Sequence, residues 1–147
     1  MGPVYACQLL RSVLLLVKIG DPGELSAGGL ARDHKGLWQF GFVRKLGWGS
    51  ILKAEIWAIF MGLQCAWDRG YRSVIIESDS LLAVTKIPGE VHRQDPFYTL
   101  ITKCQQLLRL NWNCNLTHIF REANYCADFL ASLAMSFDFS ITILDSK

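Results

Sequence analysis

The sequence predicts one mixed α/β domain, in which an antiparallel meander and parallel strands share a five-stranded sheet flanked by helices. Three observations predict it. Strand-like runs joined by Gly, Pro and Asp turns fill the first third of the chain, an apolar run of helical period follows, and short β-branched runs then alternate with helical patterns.

Residues 13–19 form a β-branched and leucine-rich run that stops at Gly20-Asp21-Pro22-Gly23, where Pro and Gly favour a tight turn. Residues 26–32 and 37–46 are two further strands, joined by the turn residues Asp33-His34-Lys35-Gly36. Ser50 caps a helix over 51–68 that carries Leu52, Ile56, Ile59, Phe60, Leu63 and Trp67 at helical spacing, and Gly70 ends it. Its Glu55 lies in the first turns, on or beside the face that packs inward. Val74-Ile75-Ile76 marks a buried strand over 72–77, which ends as Glu77-Ser78-Asp79 begins. A short helix over 81–87 closes at Pro88-Gly89. Residues 96–110 read as a helix, 113–120 as a strand and 124–135 as a last amphipathic helix.

Composition narrows the class. The 147 residues fit a single domain, 1–147, and 51% hydrophobic content can fill one core. Only 19% of residues are charged, which argues against disorder, and a net charge of +2 neither supports nor excludes a nucleic-acid partner. The five cysteines, Cys7, Cys65, Cys104, Cys114 and Cys126, show no CxxC pair and no zinc spacing. Buried free thiols in a reducing, intracellular compartment are expected. The apolar run over 12–17 is far shorter than the roughly 20 residues of a membrane helix, and no signal-peptide pattern precedes it. A soluble monomer without a small-molecule cofactor or membrane contact is the expectation.

In open α/β sheets, sites form beyond the carboxyl ends of central strands. Asp79 sits just past such an end, while Glu55 on the first long helix and Asp128 on the last can lean over the same edge. Unpaired carboxylates are costly at the boundary of apolar elements unless a cation or hydrogen bonds compensate them. Three of them converging point to a divalent metal site. Each has a plainer reading: Glu55 as a solvated or capping residue, Asp79 as the N-cap of the next helix, Asp128 as surface charge, and His118 as a structural strand histidine.

Taken in order, Ala27-Gly28-Gly29 with Arg32-Asp33-His34-Lys35-Gly36, Ala54-Glu55, Glu77-Ser78-Asp79-Ser80, and Arg121-Glu122-Ala123-Asn124 with Ala127-Asp128 resemble the ribonuclease H type 1 superfamily. More narrowly they resemble plant ribonuclease-H-like domains related to non-LTR retroelement reverse transcriptases. The resemblance covers about residues 20–135. It implies a ribonuclease-H-like fold and an endonuclease that hydrolyses the RNA strand of RNA/DNA hybrids with two Mg²⁺ or Mn²⁺ ions. Such ions lower the pKa of an attacking water and stabilise the attacking and leaving oxygens from about 4 Å apart, and Mg²⁺ prefers oxygen ligands. The resemblance further implies that Glu55, Asp79 and Asp128 are metal-binding catalytic acids. His118, ten residues before Asp128, matches a histidine that assists proton transfer or product release.

The first strand departs from that family. Counting back from Gly20, the position where relatives carry an Asp that bridges both ions falls at about Leu15, which cannot bind a metal. Asp21 and Glu24, the acids nearby, lie beyond the strand. Residues 1–16 do not resemble the family, which fits a truncated or mis-spliced start or a decayed domain. Loss of the bridging acid is expected nearly to abolish catalysis. Among Trp38, Trp48, Trp57, Trp67 and Trp112, Trp57 and Trp67 are expected in the core, and Trp48 is the best candidate for an exposed ring. Hybrid recognition rests on backbone and 2′-hydroxyl contacts in a wide minor groove, and Asp21 is expected to weaken it. Two functions follow: an RNA/DNA-hybrid endonuclease, or a catalytically inactive descendant that binds nucleic acid or a protein.

Overall fold

Residues 12–20, 23–120 and 142–145 are described by a computed structural model of the chain. Its strands are β1 (Ser12–Ile19), β2 (Leu25–Arg32), β3 (Trp38–Gly47), β4 (Ser73–Ser78), β5 (Asn113–His118) and β6 (Thr142–Asp145). Its helices are α1 (Ile51–Asp68), α2 (Leu81–Lys86) and α3 (Tyr98–Leu108). The predicted last helix over 124–135 lies outside the described residues, as do Asp21, Asp128, Cys7 and Cys126.

The meander forms as its turns dictate. Gly20 N–H donates to the Glu24 carbonyl across the first turn. In the second turn the Lys35 and Leu37 amides both donate to Asp33 Oδ1 at 2.9 Å, and Gly36 adopts φ +82°. Those amides, Leu37 first, hold the Asp33 carboxyl below the usual carboxylate range. Strands β1, β2 and β3 pair antiparallel, and β4 joins β1 in parallel on the other side, with β5 parallel beyond it. The sheet order is β5-β4-β1-β2-β3-β6. The expected five strands are therefore present, and β6 is a sixth, antiparallel to β3.

Helix α1 starts where Ser50 Oγ accepts from Lys53 N–H and ends where Arg69 N–H donates to Cys65 O, with Gly70 following at φ +89°. It buries Ala54, Ile56, Ile59, Leu63 and Ala66 against the sheet, a stripe at helical spacing. Leu52, Phe60 and Trp57 are half-buried at the margin of that core. Trp67 falls outside it. Its ring packs edge-on against Trp112 at 5.3 Å, and the Arg72 guanidinium lies 3.5 Å from its centroid. At the last turn of α1 this ring is thus held by an arginine and a second indole.

The sheet face beneath α1 carries one row of aligned positions across all six strands. From edge to edge it runs His118, Ser78, Leu15, Gly29, Phe42 and Ile143. Close approach demands glycine in this row, because a Cβ on Gly29 would collide with the Phe42 ring and lie 3.0 Å from Leu15 Cδ2. Gly62 of α1 is pressed down on the same leucine, with its would-be Cβ 3.1 Å from Leu15 Cδ2. Leu15 thus fills the slot between two glycines and is 1% exposed. Of the described thiols Cys104 is buried as expected, while Cys65 and Cys114 are half-buried; desolvation pushes Cys104 and Cys114 up to about 12 and Cys65 up to about 11. Among the described residues no helix is long and apolar enough to cross a membrane.

Candidate active site

The site grows from the carboxyl ends of the three parallel strands. In β4, Ser78 pairs with Leu15 of β1 on one side and His118 of β5 on the other, and the chain then turns into α2 through Asp79 and Ser80. The Ile119 amide donates to the Ser78 carbonyl at 2.9 Å, which extends the β4–β5 ladder by one bond beyond the strands. Asp79 therefore leaves the sheet at its central carboxyl edge, half-buried.

Ser80 ties this edge to α1. Its Oγ donates to Glu55 Oε1 at 2.8 Å and accepts the Ala83 amide at 3.2 Å. One hydroxyl thus caps α2 and orients the helix carboxylate across 25 residues of sequence. The Ser80 amide donates to Ser78 Oγ at 3.1 Å, which fixes the turn around Asp79. The cap belongs to Ser80, and the reading of Asp79 as N-cap is corrected accordingly. Serine fits because the residue directly before the first helical turn can fold its hydroxyl back onto the third amide after it. Sequence reasoning singled out the acids and passed over Ser78 and Ser80, although a Ser at the last position before an apolar helical run is a capping signal.

A Ser80→Ala variant is expected to lose about 1–2 kcal/mol of stability, combining a lost cap with a lost hydrogen bond to a charged group. Urea titration measures it, and an unchanged midpoint would mean that Ser80 does not hold this edge together.

Of the four residues that the sequence nominated, the structure places three at one edge. Glu55 reaches it from α1, Asp79 from the β4–α2 turn and His118 from the last position of β5. The His118 ring packs edge-on against Phe120 at 5.8 Å, with Phe120 77% exposed. Asp128 lies outside the described residues. Among the described residues no three His, Cys, Asp or Glu side chains form a group able to hold a metal ion. Leu15 occupies the strand position beside Ser78, one residue from Asp79, where the counted-back acid was expected.

Residues 20–134 match the family described as Reverse transcriptase-like. An Arabidopsis thaliana protein named for ribonuclease H is 37% identical over 117 residues, which is 80% of this chain. The chain spans 19% of that relative's length. Among solved structures, RNase H1 from Halobacterium salinarum is similar with a TM-score of 0.74 at 23% identity, covering 86% of this chain and 97% of that one. LC11-RNase H1 in complex with an RNA/DNA hybrid has a TM-score of 0.71 at 22% identity, covering 86% and 96%. These likenesses establish the fold, a mixed sheet flanked by helices.

Proposed function

We propose, on the premise that the chain belongs to the Reverse transcriptase-like family of ribonuclease-H-like domains, that it binds RNA/DNA hybrids and that its endonuclease chemistry is impaired at Leu15. One observation carries the reading: the Ser80–Glu55 hydrogen bond and the Leu15–Ser78–His118 register gather the motif residues at one carboxyl edge. The RNA/DNA hybrid bound in the LC11-RNase H1 complex supports the same ligand class.

Carboxylate oxygens are the donors that Mg²⁺ or Mn²⁺ takes, and Glu55 and Asp79 offer them. Leu15 does not. Its buried isobutyl group stands beside Ser78, so the described residues alone do not make the donor set of a two-ion site. What these residues do is narrower. Ser80 fixes the Glu55 carboxylate, the β4–α2 turn presents Asp79, and His118 offers an imidazole at the adjacent strand end. Asp128 is the further acid that the family motif assigns to this edge.

The test is cleavage and binding of a labelled RNA/DNA hybrid by the purified chain in Mg²⁺ or Mn²⁺, beside an Asp79→Asn control. Slow, metal-dependent cutting of the RNA strand alone, lost in the control, is the expected outcome for an impaired nuclease. Binding without any cutting favours the second reading, an inactive hybrid-binding module, which the buried leucine at position 15 supports. A folded protein that binds no hybrid overturns both.

A further inference from the structure

Beside the carboxyl edge, where β3 leads into α1, an open groove of about 130 Å³ is lined by Arg44, Lys45, Trp48, Ser50, Lys53 and Trp57 among others. Lys53 and Ala54 form part of its wall, and Glu55 is the next residue along α1, so the groove lies at the same end of α1 as the candidate active site.

One of its charges sits where the helix disfavours it. The N-terminal end of a helix is its positive pole and favours acids, yet the first turn of α1 contains none and places Lys53 there instead. Arg44 lies with its guanidinium 4.5 Å from the Trp57 centroid, and its Nε is buried without a hydrogen-bond partner among the described residues. Among the described residues Lys45 pairs with Glu24 at 3.7 Å, a weak pair at the surface. Among the described residues, three cations therefore line one groove at the positive end of a helix, with Glu24 the acid paired to one of them. An anion relieves that repulsion.

The groove also carries a ring. Trp48 is 68% exposed, and a Cβ added to Gly23 would lie 3.0 Å from its Cζ3, so the glycine leaves the indole edge room to rest. Trp57 is engaged by Arg44, whereas Trp48 presents its surface to solvent. A tryptophan face beside cations suits a nucleobase above it and a phosphate next to it. Bases inside a duplex are already stacked on one another. Away from a duplex end, only an unpaired nucleotide can offer its face.

We propose that the groove of Arg44, Lys45, Trp48 and Lys53 seats an unpaired nucleic-acid strand leaving the hybrid, with a base on Trp48 and backbone phosphate at the lysines. This rests on the hybrid-binding reading and adds a substrate preference to it: hybrids that end in a single-stranded flank are held more tightly than blunt ones.

Fluorescence anisotropy of the full chain with a blunt RNA/DNA hybrid, the same hybrid with a short unpaired extension, and the extension alone tests the proposal. The extended hybrid is expected to bind about tenfold more tightly than the blunt one, the worth of roughly one stacked base. Trp48→Ala removes that preference and leaves blunt-hybrid binding, while Trp48→Phe keeps part of it. Lys53→Glu weakens binding of the extended hybrid, flattens its salt dependence and at the same time raises the thermal midpoint of the free protein. A merely structural lysine would not give those opposite signs. Equal binding of blunt and extended hybrids by the natural chain overturns the groove assignment and leaves hybrid binding standing, as does a preference that survives Trp48→Ala. No binding of either hybrid by folded protein overturns both.

Discussion

A Leu15→Asp variant is expected to cut the RNA strand of a hybrid in Mg²⁺ at least about a hundredfold faster than the natural chain, a barrier change of about 2.7 kcal/mol. The expectation follows from register. Leu15 pairs with Ser78, Asp79 is the next residue, and Ser80 holds Glu55 at the same edge. A carboxylate at position 15 would therefore supply the oxygen donor that this edge lacks. The substitution also has a cost. The slot between Gly29 and Gly62 is closed and apolar, and an ionised side chain there, without a cation, destabilises the fold by several kcal/mol. Mg²⁺ should then raise the melting temperature of the variant and leave that of the natural chain almost unchanged. Leu15→Asn, similar in size but uncharged, controls for loosened packing and should gain no cleavage. If Leu15→Asp folds, binds hybrid and stays inactive, the assignment of position 15 to the missing acid fails.

Phe42→Ala is expected to give the largest loss of stability in the molecule, about 3–5 kcal/mol. Phe42 is fully buried under α1, and its ring covers Gly29, which has no side chain of its own to fill the space. Truncation leaves a void bordered by glycine, and the stiff strands around it can close in only slightly. Guanidinium unfolding reads the change directly. A loss below about 1 kcal/mol would show that the sheet rearranges around the missing ring and that the row beneath α1 is less tightly built than described.

Much of this architecture was legible in the sequence because its signals are local. Ser50 and Gly70 bracket α1, and the observed helix runs Ile51–Asp68 as the spacing predicts. Val74-Ile75-Ile76 locates β4, and turn residues separate the three strands of the meander. Leu15 was located by counting back from Gly20, and pairing places it beside Ser78 at the edge where Asp79 emerges. Other features depend on distant partners. Thr142–Asp145 has only four residues, too few to show a strand period, and it becomes a strand by pairing with β3, about a hundred positions earlier. Trp67 has inward helical spacing, but its partners are Arg72 and Trp112, which lie five and 45 positions later and leave no local signal. Ser80 has a local signal for its cap and none for its bond to Glu55, which only the packing of α1 over β4 creates.

The sixth strand separates two meanings of the word domain. The family match ends at residue 134, while the described sheet continues to Asp145. Without β6 the outer side of β3 would present a row of unpaired backbone donors and acceptors, the kind of edge on which chains add to one another. The strand that covers part of β3 thus lies beyond the span that the family match covers. A chain ended at residue 134 would keep Leu15, Glu55, Asp79 and His118 and still expose the Phe40–Val43 stretch of β3 to pairing with another chain.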